Sequence, residues 1–161
     1  MNRLMIVCGV ATLFVMGITA HPRGAPSSVC DDPFMEPIYH MDHLNATPYN
    51  NTDEYTLQSS PIEGRPGIFR VTLTGPLFKG FVVRASTTGG EINQGQFFID
   101  EDSDFHALHC SINTDIAVTN SSPEFKDSVQ LLLRDNNNVS YVFQATVVPT
   151  IETYYINIFE S

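Results

Sequence analysis

Tryptophan is absent from this chain, and positive charge is scarce: eight Lys and Arg stand against 18 Asp and Glu, a net charge of −10. A protein that grips nucleic acid needs a basic footprint to displace counterions from phosphate, so this balance excludes that partner class. Cysteine is sparse as well, three in all at positions 8, 30 and 110. That is too few for zinc-finger or iron–sulfur ligation. The G-x-S-x-G elbow, the phosphate loop and H-E-x-x-H are all missing, which removes the common hydrolase, nucleotide and metalloprotease signatures. No cofactor is called for.

What is present begins at the N-terminus. Arg3 precedes an uncharged apolar stretch, Leu4 to Ala20, which ends in the small pair Thr19-Ala20 before His21-Pro22. A basic flank, a short apolar run and a small-residue exit describe a secretory signal peptide over residues 1–20. No second run of spanning length follows, so no membrane span is expected in the remainder. Cleavage leaves residues 21–161, the size of one domain, with 18 acids against seven basic residues. Cys8 departs with the leader, and in an oxidising compartment the remaining pair, Cys30 and Cys110, is expected to form one disulfide. Four N-x-S/T sequons, at Asn45, Asn50, Asn120 and Asn138, suit the same compartment and read as surface loops carrying glycans.

Residues 21–51 are rich in Pro, Asp and Asn without sustained period, and read as an irregular N-terminal arm tethered at Cys30. Short β-type runs follow. Ile68 to Thr74 alternates, with Phe69, Val71 and Leu73 on one face and Arg70, Thr72 and Thr74 on the other. Gly80–Ala85, Gln96–Ile99, Asp115–Thr119, Ser128–Leu133, Val139–Val148 and Thr153–Phe159 complete the set, punctuated by Gly75-Pro76, Gly89-Gly90 and the Asp135–Asn138 turn. Seven or eight strands and no three-turn amphipathic helix predict an all-β fold, a two-sheet antiparallel sandwich. Val139, Tyr141, Phe143, Ala145 and Val147 are its best core candidates.

Gly24-Ala25-Pro26 before Cys30, Tyr55-x-Leu57, Pro66-Gly67 and Val71-Thr72-Leu73 form an ordered set of motifs. Phe78-Lys79-Gly80-Phe81-Val82-Val83-Arg84-Ala85 is the densest of them, followed by Gly95-x-Phe97, Cys110, Ala117-Val118-Thr119 and the late strand Val142 to Val148. In this order they resemble the Reeler (reelin N-terminal) domain family, over residues 24–161. A single such domain behind a leader is similar to the insect-type secreted defence proteins. The resemblance implies an immunoglobulin-like sandwich without catalytic role, used outside the cell in adhesion or recognition. It also implies microbial cell-wall polysaccharide or glycolipid as partner, with host cell-surface proteins as the alternative for an adhesion or matrix protein. The chain departs from the family pattern at Asn120, where His is usual, and at Leu133 and Tyr155, where Trp is usual.

Three further groups stand out. Asp100, Asp102 and Asp104 alternate like the start of a calcium loop, but Phe105 and Ser111 replace the required Gly and Glu, so the stretch reads as a solvated acidic loop. His40 with His43 and His106 with His109 flank the two cysteines; a disulfide could gather four imidazoles for zinc or copper, or they are ordinary loop histidines. His21, N-terminal after cleavage, adds a second conceivable copper ligand. Finally, Gly64 to Gly90 holds Arg65, Arg70, Lys79 and Arg84 with no Asp or Glu. This basic island is the candidate ligand site, with Arg70 and Arg84 expected side by side on successive strands.

Overall fold

The computed structural model describes residues 24–37, 45–50, 53–100, 102–136 and 138–161; the expected leader (1–20) and residues 40–43 lie outside them. A single 3-10 turn, Ser27–Asp31, precedes ten strands. These are β1 (Thr47–Asn50), β2 (Thr56–Pro61), β3 (Ile68–Phe78), β4 (Gly80–Thr87) and β5 (Gln96–Phe98). They continue as β6 (Phe105–Leu108), β7 (Asp115–Asn120), β8 (Lys126–Arg134), β9 (Tyr141–Thr150) and β10 (Thr153–Phe159). Among the described residues no helix is long and apolar enough to cross a membrane.

The strands form two sheets, one of six in the order β1-β10-β9-β4-β7-β6 and one of four in the order β2-β3-β8-β5. The expected two-sheet sandwich is therefore what forms, and all pairings are antiparallel except β1 with β10. Alternation does the sorting. Val71 and Leu73 of β3, Val129, Leu131 and Leu133 of β8, and Phe143, Ala145 and Val147 of β9 all turn into one core between the sheets. Val139 lies before β9 rather than on it. Aromatic rings thread this core in sequence: Tyr49 stacks on Tyr155, Tyr155 meets Tyr55, Tyr55 meets Phe78, Phe78 meets Phe81 and Phe81 meets Phe105. Burial raises the Tyr55 phenol to about 12, with the neighbouring Tyr155 and Glu54 adding to it.

Two expectations need correction. Residues 21–51 are not wholly irregular, because β1 lies within them. Its four exposed residues show no alternation, and Pro48 disguises it further; what holds it is its position beside β10. More important, β3 and β4 belong to opposite sheets although Lys79 alone separates them. The register of β3 on β8 shifts between Thr74 and Phe78, around Gly75-Pro76, just before the chain crosses over at Lys79. Gly75 allows it: a Cβ at that position would fall 2.3 Å from the Tyr55 ring.

Strand β4 is buried on both faces. Phe81, Val83 and Ala85 face the inter-sheet core, while Val82 lies under the N-terminal arm with Val29, Cys30, Met35, Leu108 and Ala117. The Cys30–Cys110 disulfide ties the arm down, and Asp31 accepts a hydrogen bond from the Ser111 N–H at 2.7 Å beside it. Bonds from the Ser111 hydroxyl and N–H hold the Asp31 carboxyl below its ordinary range. Gly24 adopts φ +86° where the arm meets β7, and a Cβ there would fall 2.0 Å from the Asn120 carbonyl oxygen.

Replacing Cys30 and Cys110 together by Ala should lower stability by roughly 4.5 kcal/mol, the chain-entropy value for a loop of this length. Urea unfolding of the glycosylated protein measures it. An unchanged midpoint would show that the remaining arm contacts suffice.

Candidate functional site

The four residues of the basic island have separate fates. Arg84 does not reach solvent; it is 8% exposed. Its Nη1 donates to the carbonyls of Cys30 and Asp32 at 3.0 Å each, and its Nη2 to the carbonyl of Pro33 at 3.1 Å. Gln144 accepts from the same Nη2, and Asp115 supplies the counter-charge at 3.7 Å. Gln144 also donates to the Pro33 carbonyl at 3.0 Å, and Thr146 to that of Phe34 at 3.3 Å. Arg84 is thus a strut beneath the arm, and the expectation that it pairs with Arg70 on a binding face is wrong. A polar position on an alternating strand normally faces solvent, but here the arm covers that face. Lys79 sits at the crossover with its ammonium 4.7 Å from the Phe125 ring centre. Arg65 is exposed in the β2–β3 turn.

Arg70 does face solvent, on the outer side of the four-stranded sheet, and the residue it meets there is Arg134. In the register of β3 against β8, Ile68 is opposite Arg134 and Arg70 opposite Leu132. The two arginines are diagonal neighbours on one face, about 7–8 Å apart at the backbone. Gln58 and Ser60 of β2, Thr72 and Thr74 of β3, Ser128 and Gln130 of β8 and Gln96 of β5 share that face, as do the apolar Ile68, Leu132 and Phe98. None of its strand residues is Asp or Glu. The sequence pointed to Arg70 and missed Arg134, which is 64 positions away and flanked by Asp135; only the β3–β8 register joins them.

Of the histidines, only His106 and His109 fall among the described residues, and their surroundings differ. His106 accepts or donates at Nδ1 with the Ser121 hydroxyl, 3.2 Å away, while His109 is exposed beyond the end of β6. A spacing of three gathers side chains on a helix but sends them to opposite faces of an extended chain. No group of three metal-ligating side chains occurs among the described residues. His40, His43 and His21 lie outside them. Asp100, Asp102 and Asp104 are exposed, as a solvated loop requires.

The sequons also divide. Asn45, Asn50 and Asn138 are exposed. Asn120 is only 5% exposed, its Oδ1 accepting from the Phe81 N–H at 3.1 Å and its Nδ2 donating to the Ser122 carbonyl at 3.1 Å. Its amide nitrogen is committed within the fold, contrary to the reading of this sequon as an exposed loop.

The sequence profile of the Reeler domain matches residues 28–161. The chain belongs to the Reeler family. Among solved structures, the Reeler fold seen here is similar to the human F-spondin reeler domain (fragment 1), with a TM-score of 0.53 and 21% identity over 71% of this chain and 91% of that one. A second structure, the Reelin-N domain of F-spondin, gives a TM-score of 0.50 and 22% identity over 73% and 90%. No curated protein sequence matches the chain. Where tryptophan is usual in Reeler domains, Leu133 is fully buried in the core and Tyr155 joins the ring series described above.

Two outcomes test this geometry. Arg84→Met keeps the bulk but removes the charged partner of Asp115 and the donor to the Cys30 carbonyl, the Asp32 and Pro33 carbonyls keeping the Met35 N–H and Gln144, and should cost about 3 kcal/mol in chemical unfolding; a parent-like midpoint would remove Arg84 from its role as strut. Peptide mapping of protein made in a glycosylating host should find glycan at Asn45, Asn50 and Asn138 and none at Asn120. Substantial occupancy at Asn120 would require the Phe81 contact to be broken in the folded protein.

Proposed function

We propose that this Reeler protein is a secreted, non-enzymatic recognition module of innate defence, binding anionic microbial cell-wall polysaccharide or glycolipid. The binding surface is the outer face of the four-stranded sheet. One observation carries the reading: in a chain with 18 acidic residues, this face has none on its strands, and presents Arg70 and Arg134 among threonine, serine and glutamine, with Ile68, Leu132 and Phe98 as its apolar members. Guanidinium groups fork onto carboxylate and phosphate, while the hydroxyls and amides suit sugar hydroxyls. A local positive field is needed for an acidic protein to approach an anionic polymer at all. Arg65, in the turn at the margin, extends that field. The leader over residues 1–20, cleaved to leave a single domain at 21–161, places the protein outside the cell. Glycans at Asn45, Asn50 and Asn138 complete its extracellular form.

A second reading is an extracellular adhesion or matrix protein that binds host cell-surface proteins. The likeness to F-spondin reeler domains favours it. The two are separated by the ligand. Arg70→Ala with Arg134→Ala should weaken binding to immobilised lipoteichoic acid or lipopolysaccharide about tenfold at low salt and flatten its salt dependence. Both side chains are exposed, so melting should not change. Should the parent protein bind neither polymer, or the double variant bind as the parent does, the adhesion reading takes precedence.

A further inference from the structure

The two sheets close on each other around the core except along one side. There, edge strand β5 of the four-stranded sheet faces edge strand β6 of the six-stranded sheet across a cleft of about 480 Å³. Phe97, Ile99, Ala107 and Ile116 line it together with His106, so its floor is mostly apolar. Among the described residues β5 pairs only with β8 and β6 only with β7. The free edge of each strand therefore offers backbone N–H and C=O groups with no strand partner. An apolar floor between two open edges suits an extended polypeptide, whose backbone bonds an edge while alternate side chains enter the floor.

Charge selects the occupant further. The segment joining β5 to β6 crosses between the sheets at one end of the cleft and carries Asp100, Asp102 and Asp104, all exposed. Asp104 shares the field of Lys126, while Asp100 and Asp102 have no salt-bridge partner among the described residues. At the other end stand Gly95, Gln96 and the exposed His109. We infer that the β5–β6 cleft binds an extended peptide segment of a partner protein, by strand addition, with apolar residues at alternate positions and a basic residue at the end beside Asp100 and Asp102. This surface is separate from the arginine-bearing sheet face and stands whether or not that face binds polysaccharide.

A fluorescein-labelled, end-blocked peptide of sequence RVTVTV serves as probe, titrated by anisotropy into the glycosylated protein. Saturable binding is expected, weakening with added salt. Changing the central valine to proline (RVTPTV) removes a backbone donor and should weaken binding about tenfold with the parent protein. Ala107→Trp fills the cleft from an exposed edge position and should do the same without altering the melting transition. Asp100→Asn with Asp102→Asn should cost about threefold and remove most of the salt dependence. No saturable binding by RVTVTV overturns the proposal, as does equal binding of the proline peptide or of the Ala107→Trp variant. If 8-anilino-1-naphthalenesulfonate binds the parent, is lost from Ala107→Trp, and the peptide does not bind, the cleft takes a small apolar ligand and the peptide reading fails.

Discussion

One buried guanidinium organises the outer half of this molecule. Arg84 comes from the strand with the most burial, and the N-terminal arm lies across it, giving the carbonyl oxygens of Cys30, Asp32 and Pro33 to its two terminal nitrogens. Carbonyls turned away from water need donors, and a guanidinium beneath a sheet cover needs acceptors. The terminal nitrogens and the carbonyls satisfy each other, Arg84 Nε alone of the guanidinium lacking an acceptor, with Asp115 balancing the charge. The disulfide and the Asp31–Ser111 contact then hold the arm in register over Val82, Leu108 and Ala117. Without the strut, the apolar outer face of β4 and β7 would lose its cover.

That arrangement makes the two outer faces of the sandwich unlike each other. The six-stranded sheet is covered over β4 and β7, whereas among the described residues nothing covers the outer face of the four-stranded sheet, which is largely polar, holds Ile68, Leu132 and Phe98, and has no strand carboxylate. The buried arginine strut and the solvent-facing arginines thereby belong to different sheets. The protein can keep a strongly acidic surface, which favours solubility, while one face retains the opposite field.

Much of the fold was legible in the sequence because half-buried strands announce themselves. Ile68–Thr74 alternates, and β3 begins there; Phe143, Ala145 and Val147 were named as core and are core. The strands that escaped detection lack that signal. β1 is exposed throughout, and β6 places Phe105 toward the core, His106 against Ser121 and Leu108 under the arm, so no simple alternation survives. The candidate site was half legible. Arg70 stood out by its neighbours, but its partner Arg134 is brought to it by strand register, a quantity that no local window contains. Arg84 misled for a related reason: period-two reasoning says which way a side chain points, not whether something will later cover it.

The pairing of β1 and β2 with the far end of the chain has a kinetic side. β1 lies beside β10, Leu57 bridges Glu160, and the Ser161 N–H donates to the Leu57 carbonyl. Such contacts close very large loops, so their entropy must be met before any of them is rewarded. A ribosome delivers β1 long before its partner exists, whereas β2 can pair with β3 as soon as that strand follows. The β1 segment must wait until β10 has emerged, and stays open to foreign strands throughout that interval. Sugars added at Asn45 and Asn50 during synthesis would lie on that waiting segment and keep it soluble.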